Sequence, residues 1–313
     1  MSATEGLARS VHVRLVARAK ELGVEAQLLL ERYALHRLLY RLSKSSHADR
    51  FVLKGAQMML VWIGEAVRPT RDADLLGLGE LSDVMLAGVF EELCNVSVEP
   101  DGMEYSAESI RITRMRRGGA NGGRRVALEA RLGNARLSLQ VDIGIGDVIT
   151  PEPAWVELPT FLNLPSPRLL GYPPETTIAE KLETIVRLGV LNSRLRDYFD
   201  ILVLSRRKPF DGSILKRAVQ RTFQARGTPI PEELPTGLLT GFAEEPGKQA
   251  QWVSLRSKLR EPDVPEELTI VIAEISMFVG PILRALDDES PFAETWSAGG
   301  PWQPTSGQKL RGL

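Results

Sequence analysis

Asp72 and Asp74, in the run Thr70-Arg71-Asp72-Ala73-Asp74, are the pair of side chains in this sequence best spaced to hold a divalent cation. On a strand, residues at i and i+2 point to one face roughly 7 Å apart. Two carboxylates held there repel unless a cation lies between them. Upstream, Lys54-Gly55-Ala56 follows the apolar run Phe51-Val52-Leu53 and precedes the apolar stretch from Gln57 to Ile63. That pattern predicts a strand, a small-residue turn and a helix, whose first backbone N–H groups can cradle phosphate. Lys54, Gly55, Ala56 and Arg71 are therefore the candidate nucleotide-binding residues, set beside a candidate metal pair.

A third acid, Asp142, lies in Gln140-Val141-Asp142-Ile143-Gly144. Alternation there buries Val141, Ile143 and Ile145 on one face and sends Asp142 to the other. Asp142 can then serve as a third metal ligand or as a general base for an acceptor hydroxyl. Against this stands a plainer reading, in which Asp-x-Asp is a solvated strand end. Thr70 shares the face of Asp72 by the same alternation, so a phosphate on it would compete with a nucleotide; its plain alternative is a bond to local backbone.

These residues need a scaffold, and the periodicity supplies one. Residues from about 8 to 44 alternate as two helices broken near Gly23, followed by strands near 50–54, 72–78, 109–114, 124–131 and 136–145, with a helix near 81–94. Prolines 151, 153, 159, 165, 167 and 173 exclude a regular helix from the stretch that follows. Helical patterns then recur near 174–189, 194–206, 211–225, 246–260 and 264–287. The expected class is α+β: N-terminal helices and a small mixed sheet over 1–150, a Pro-rich connector over 151–173, a helical domain over 174–290 and a tail over 291–313.

Composition narrows the chemistry further. The chain has 313 residues, a net charge of -1, one cysteine (Cys94) and three histidines, so it offers no internal disulfide and no zinc-type ligand spacing. The N-terminus lacks the apolar core of a signal peptide, and no uninterrupted apolar run is long enough to span a membrane. A cytoplasmic protein without a membrane partner is expected. Arg111, Arg114, Arg116, Arg117, Arg124 and Arg125 flank a glycine-rich segment, which reads either as a hairpin tip touching RNA phosphates or as a solubilising loop.

The helical half holds two more candidates. Lys181 lies in Glu180-Lys181-Leu182-Glu183 beside the apolar stripe of Ile178, Leu182 and Ile185. In Asn192-Ser193-Arg194-Leu195-Arg196-Asp197-Tyr198-Phe199-Asp200, Ser193 is a candidate N-cap, and Asp197 and Asp200 share a helical face. Simple ion pairs with neighbouring residues would account for all three charges.

Taken in order, Phe51 to Ala56, Thr70 to Asp74, Val141 to Ile143, Ala179 to Glu183 and Asn192 to Asp200 resemble the AbiEii/AbiGii nucleotidyltransferase-like toxins, including the MenT-type toxins that modify tRNA. The resemblance spans about Arg50 to Leu204. It implies a polymerase-beta-like nucleotidyltransferase fold with an appended helical domain. It also implies roles: Gly55 and Ala56 as the phosphate turn, Asp72 and Asp74 as metal-binding acids, Lys181 as the essential lysine on the triphosphate, and Asp197, or alternatively Asp200, as the essential late acid, with Asp197 either positioning Lys181 or helping to deprotonate the acceptor. Two departures stand out: Ala56 replaces the usual Gly or Ser, and the interval from Gly55 to Asp72 is slightly long. The implied activity is transfer of NMP from an NTP, with Mg²⁺ or Mn²⁺, to the 3′ end of tRNA, which blocks translation, in a system with a cognate antitoxin. Transfer to a protein hydroxyl and a non-catalytic RNA- or partner-binding role are the alternatives.

Overall fold

The computed structural model describes residues 3–64, 70–115, 122–261 and 263–305. They divide into two compact units, the first formed by Met1–Asp147 with Pro153–Tyr172 and the second by Val148–Glu152 with Pro173–Leu313.

The first unit opens with α1 (Ala3–Leu22) and α2 (Ala26–Lys44). Ala8, Val11, Leu15 and Ala19 recur at helical spacing and are buried, which is why α1 packs as an amphipathic helix. α2 is buried even at charged positions, because Arg37 and Arg41 both reach the Oδ2 of Asp101, at 2.8 and 2.7 Å. Burial alone would raise the Asp101 pKa, but the two guanidiniums outweigh it and hold the carboxyl below its ordinary range.

His36, also on α2, is 1 % exposed and stacked on Phe161 with ring centroids 5.0 Å apart. Burial first, and then the charge of Arg32, push its pKa down to about 3. An unfolded chain binds a proton at His36 near pH 6.5, whereas the folded one does not, so stability falls as pH drops below that value. Between pH 6.5 and 5 this histidine should cost about 2 kcal/mol of stability. Denaturant unfolding at both pH values checks the slope, and His36→Gln should flatten it.

After α2 come β1 (Phe51–Lys54), α3 (Ala56–Ile63), β2 (Ala73–Gly77), α4 (Asp83–Asn95), β3 (Met103–Arg114), β4 (Arg124–Leu132) and β5 (Ala135–Ile145). The strands form a meander β3-β4-β5, and β5 then lies parallel to β2, which pairs antiparallel with β1. β1 is central, with every residue from Phe51 to Leu53 at most 1 % exposed. The proline-rich stretch is more than a connector. It supplies β6 (Ala154–Glu157) and β7 (Arg168–Gly171), and β7 pairs parallel with β1, completing seven strands in the order β3-β4-β5-β2-β1-β7-β6. Proline forbids helix but is tolerated at sheet edges and strand starts, so the composition is compatible with short strands.

The second unit contains α5 (Pro174–Leu188), α6 (Leu195–Arg207), β8 (Phe210–Asp211), α7 (Gly212–Arg226), α8 (Thr240–Glu244), α9 (Pro246–Arg256) and α10 (Leu268–Asp287), followed by β9 (Glu294–Trp296) and β10 (Trp302–Pro304). The mixed α+β class matches the reading of the sequence. The segment after Asp287, whose lost periodicity predicts a tail either lying along the surface or disordered, instead packs down as far as residue 305; residues 306–313 lie outside the described set. β9 and β10 form a three-stranded sheet with β8, and Trp296 and Trp302 sit 4.8 and 5.7 Å from Phe278 of α10. Their indole N–H groups donate to the carbonyls of Ser205 and Phe278. Aromatic burial with satisfied N–H groups is what anchors this otherwise aperiodic stretch.

By length and composition α10 is apolar enough to cross a membrane, although Glu274 and Arg284 interrupt its apolar run. Its Val271, Ile275, Phe278 and Ile282 are 0 % exposed, as in the core helix of a folded unit.

Candidate functional site

Within the first unit the strand register gathers the predicted residues. Lys54 pairs with Asp74 across β1 and β2, Asp74 with Asp142 across β2 and β5, and Asp142 with Arg125 across β5 and β4. Lateral neighbours in a sheet point to the same side. One face therefore carries Lys54, Asp74, Asp142 and Arg125 in a row, with Asp72 immediately before β2. Ala73 and Leu75 point the other way and are 0 and 1 % exposed, so core packing fixes the alternation that leaves both aspartates partly exposed.

Gly55 joins this row to α3. Its backbone, at φ 68 and ψ -146, lies in a region that only glycine adopts readily. A Cβ built there would also run into the Asp74 carboxylate. The turn and the acid are thus in direct contact, and the helix that starts at Ala56 leaves its first N–H groups beside them. Gly55→Ala should displace Asp74, lower stability by about 1–3 kcal/mol and reduce turnover at least a hundredfold. Thermal melting and an activity assay read the two effects, and full activity would separate the turn from the site.

The backbone of Asp72 is held as well. Its carbonyl accepts from Thr70 Oγ1 at 3.2 Å and from Gln57 Nε2 at 3.5 Å, while Gln57 Oε1 lies 3.1 Å from His36 Nε2. Thr70 thus makes the local backbone bond. Lys54 Nζ donates to Asp147 Oδ2 at 2.8 Å and lies 5.0 Å from the centre of the Tyr172 ring. Arg71 is exposed and pairs with Glu25 at 3.6 Å. Asp142 is held at both oxygens by Arg125, with Nε–Oδ1 at 2.7 Å and Nη2–Oδ2 at 2.8 Å. The Asp142 hydrogen bond, and beyond it the charges of Asp142, Asp72 and Asp74, raise the Arg125 pKa and keep it charged. No group of three or more His, Cys, Asp or Glu suited to a metal occurs among the described residues.

The arginine-rich hairpin is β3 and β4, but its guanidiniums are more committed than a phosphate-binding tip requires. Arg124 pairs with Asp83, Arg125 with Asp142, and Arg111 donates to the carbonyls of Glu108 and Ile110. Arg116 and Arg117 lie outside the described residues.

The remaining candidates belong to the second unit. On α5, Ile178, Leu182 and Ile185 are fully buried, and Lys181 beside them is 13 % exposed at its side chain. Its Nζ lies 2.7 Å from Asp197 Oδ1 and 2.8 Å from Asp200 Oδ2, both on α6. Arg194 Nε lies 2.6 Å from the other oxygen of Asp197. Burial would raise the Asp197 pKa, but Lys181 and Arg194 outweigh it and hold the carboxyl below its ordinary range. Ser193 does not cap α6: the N-cap is Arg194, and Asn192 Oδ1 accepts from the Arg194 N–H at 2.9 Å. Two buried carboxylates and two cations form a nearly neutral cluster with Lys181 at its centre.

Sequence reasoning missed Arg125 as the partner of Asp142, and Asp147 and Tyr172 as the partners of Lys54. Arg125 carried a signal, since it stood in the arginine patch, but only strand register reveals what it faces. The family model for the nucleotidyl transferase AbiEii toxin of type IV toxin–antitoxin systems matches residues 37–274. None of the curated proteins matches the chain in sequence. Among solved structures, JHP933 from Helicobacter pylori is 15 % identical, with 85 % of this chain and 97 % of that chain covered at a TM-score of 0.49. A candidate nucleotidyltransferase from H. pylori is 14 % identical, with 86 % of this chain and all of that chain covered at a TM-score of 0.45.

Proposed function

The chain belongs to the AbiEii family of nucleotidyltransferase toxins, and from that premise we propose that it transfers NMP from an NTP to the 3′ end of tRNA in the cytoplasm and so blocks translation. Type IV membership also implies a cognate antitoxin as its partner. The observation that carries the enzymatic reading is the closeness of the Gly55 turn to Asp74, which puts the start of a helix, a kind of backbone suited to phosphate, beside a carboxylate.

Asp72 and Asp74 suit Mg²⁺ or Mn²⁺, because such ions are commonly held by one or two carboxylates and complete their shell with water and substrate phosphate oxygens. Bound there, the cation would supply charge stabilisation to the attacking and leaving oxygens of an in-line displacement. The chain's own part is positional. Gly55 and Ala56 offer backbone donors to the phosphates, and Lys181, in the second unit, has the role of the essential lysine that the family resemblance implies. Asp197 holds Lys181 in orientation, a role favoured over proton abstraction because Lys181 and Arg194 occupy its oxygens. Asp200 supports the same lysine from the other side.

The test is incubation of the pure protein with each labelled NTP, Mg²⁺ and either total tRNA or a protein extract. Label at the tRNA 3′ end is the expected result. Label in protein bands would move the acceptor to a protein hydroxyl, and no label in either would leave a binding role.

A further inference from the structure

The sequence pattern offers Arg125 as part of a hairpin that touches RNA phosphates or merely solubilises, and Asp142 as a third metal ligand or a general base, yet the two side chains are bonded to each other. We propose that Asp142 is the positioning residue for Arg125 and that Arg125 holds phosphate oxygens of the nucleotide beside Asp72 and Asp74. The inference rests on the nucleotidyltransferase reading of that site.

Three observations carry it. Both oxygens of Asp142 accept from the guanidinium in a parallel, bidentate pair, at 2.7 and 2.8 Å. Such a pair is the strongest and most directional of charged hydrogen bonds, and ligating a metal would mean breaking it while bringing a dication up to a fixed cation. Second, the fork is asymmetric in exposure: the arginine side chain is 37 % exposed and the carboxylate that holds it 17 %. Nε and Nη2 are engaged, whereas Nη1 makes no hydrogen bond among the described residues. The held guanidinium therefore keeps donors for a ligand. Third, register puts Asp142 beside Asp74, so those donors belong to the row that meets the Gly55 turn.

Triphosphate chemistry explains why a cation is useful there. The substrate carries more negative charge than one metal ion neutralises, and a planar guanidinium matches two phosphate oxygens at once. Fixing it in advance with Asp142 reduces the ordering needed on binding.

The test separates metal from phosphate binding in the full-length protein. Mn²⁺ alone is titrated by electron paramagnetic resonance, and Mg²⁺-tripolyphosphate by calorimetry, on wild type, Asp142→Asn, Arg125→Ala and Arg125→Lys, with thermal melting as a check of folding. Asp142→Asn is expected to keep Mn²⁺ affinity within about threefold and to weaken tripolyphosphate about tenfold. Arg125→Ala should weaken tripolyphosphate by at least as much, and Arg125→Lys should recover only part, because it restores charge without the fork. Combining Asp142→Asn with Arg125→Ala should add little further loss. A tenfold loss of Mn²⁺ affinity in Asp142→Asn would make Asp142 a metal ligand and overturn the proposal. Wild-type tripolyphosphate binding by a folded Arg125→Ala protein would overturn it equally. If these binding results hold while no NTP is transferred to any acceptor, the transferase reading fails and the phosphate role of Arg125 stands.

Discussion

Replacing either Asp72 or Asp74 with Asn should lower nucleotidyl transfer at least a thousandfold while the protein still folds. Loss of about 4 kcal/mol of transition-state stabilisation corresponds to that factor. Neither side chain is in the core, whereas Ala73 and Leu75, which hold the strand in register, are untouched. The amide keeps the shape of the carboxylate but is a poor ligand for a hard cation, so melting temperature should stay near that of wild type. Rate measured against Mg²⁺ concentration checks the cause. Near-normal turnover in either variant at saturating Mg²⁺ would remove the pair from the site.

Lys181→Ala is expected to damage both activity and stability, and the structure explains why the second effect is not negligible. Lys181 lies between two carboxylates whose side chains are 5 and 1 % exposed. Taking away the shared cation leaves excess buried charge, a loss of about 3 kcal/mol. Asp200→Asn in the same protein should restore most of the melting temperature by removing the surplus charge. It should not restore transfer. A stable double variant with wild-type turnover would make Lys181 purely structural. The pH dependence has a definite sign: Asp197 has a lowered pKa, so its contribution is full above the ordinary carboxylate range and fades as acid protonates it.

Much of the site was legible in the linear pattern because its parts are local. The turn at Gly55 follows from a strand running into a helix through one small residue, and the common face of Asp72 and Asp74 follows from a period of two. The pairing of Lys181 with Asp197 was open to sequence as one of two jobs for that acid, but the second partner, Asp200, was not, since both acids lie on another helix. The proline-rich stretch misled for a related reason. Proline reports which backbone states are excluded, and β7 is a strand because β1 offers it a parallel edge. The last described residues were unreadable in the same way: Trp296 and Trp302 are fixed by Phe278 and by distant carbonyls.

By itself the sequence determined the strands from β1 to β5, the longer helices, the glycine turn, the acidic pair and the family to which they belong, since each rests on neighbours a few positions apart. Tertiary structure alone decided that Asp142 is bound to Arg125, that Lys54 is bound to Asp147, and that Lys181 is enclosed by two acids. Those pairings join residues 17, 93 and 16 positions apart or more. Periodicity says which face a side chain takes, but the register between strands and the packing of helices decide which partner stands opposite it.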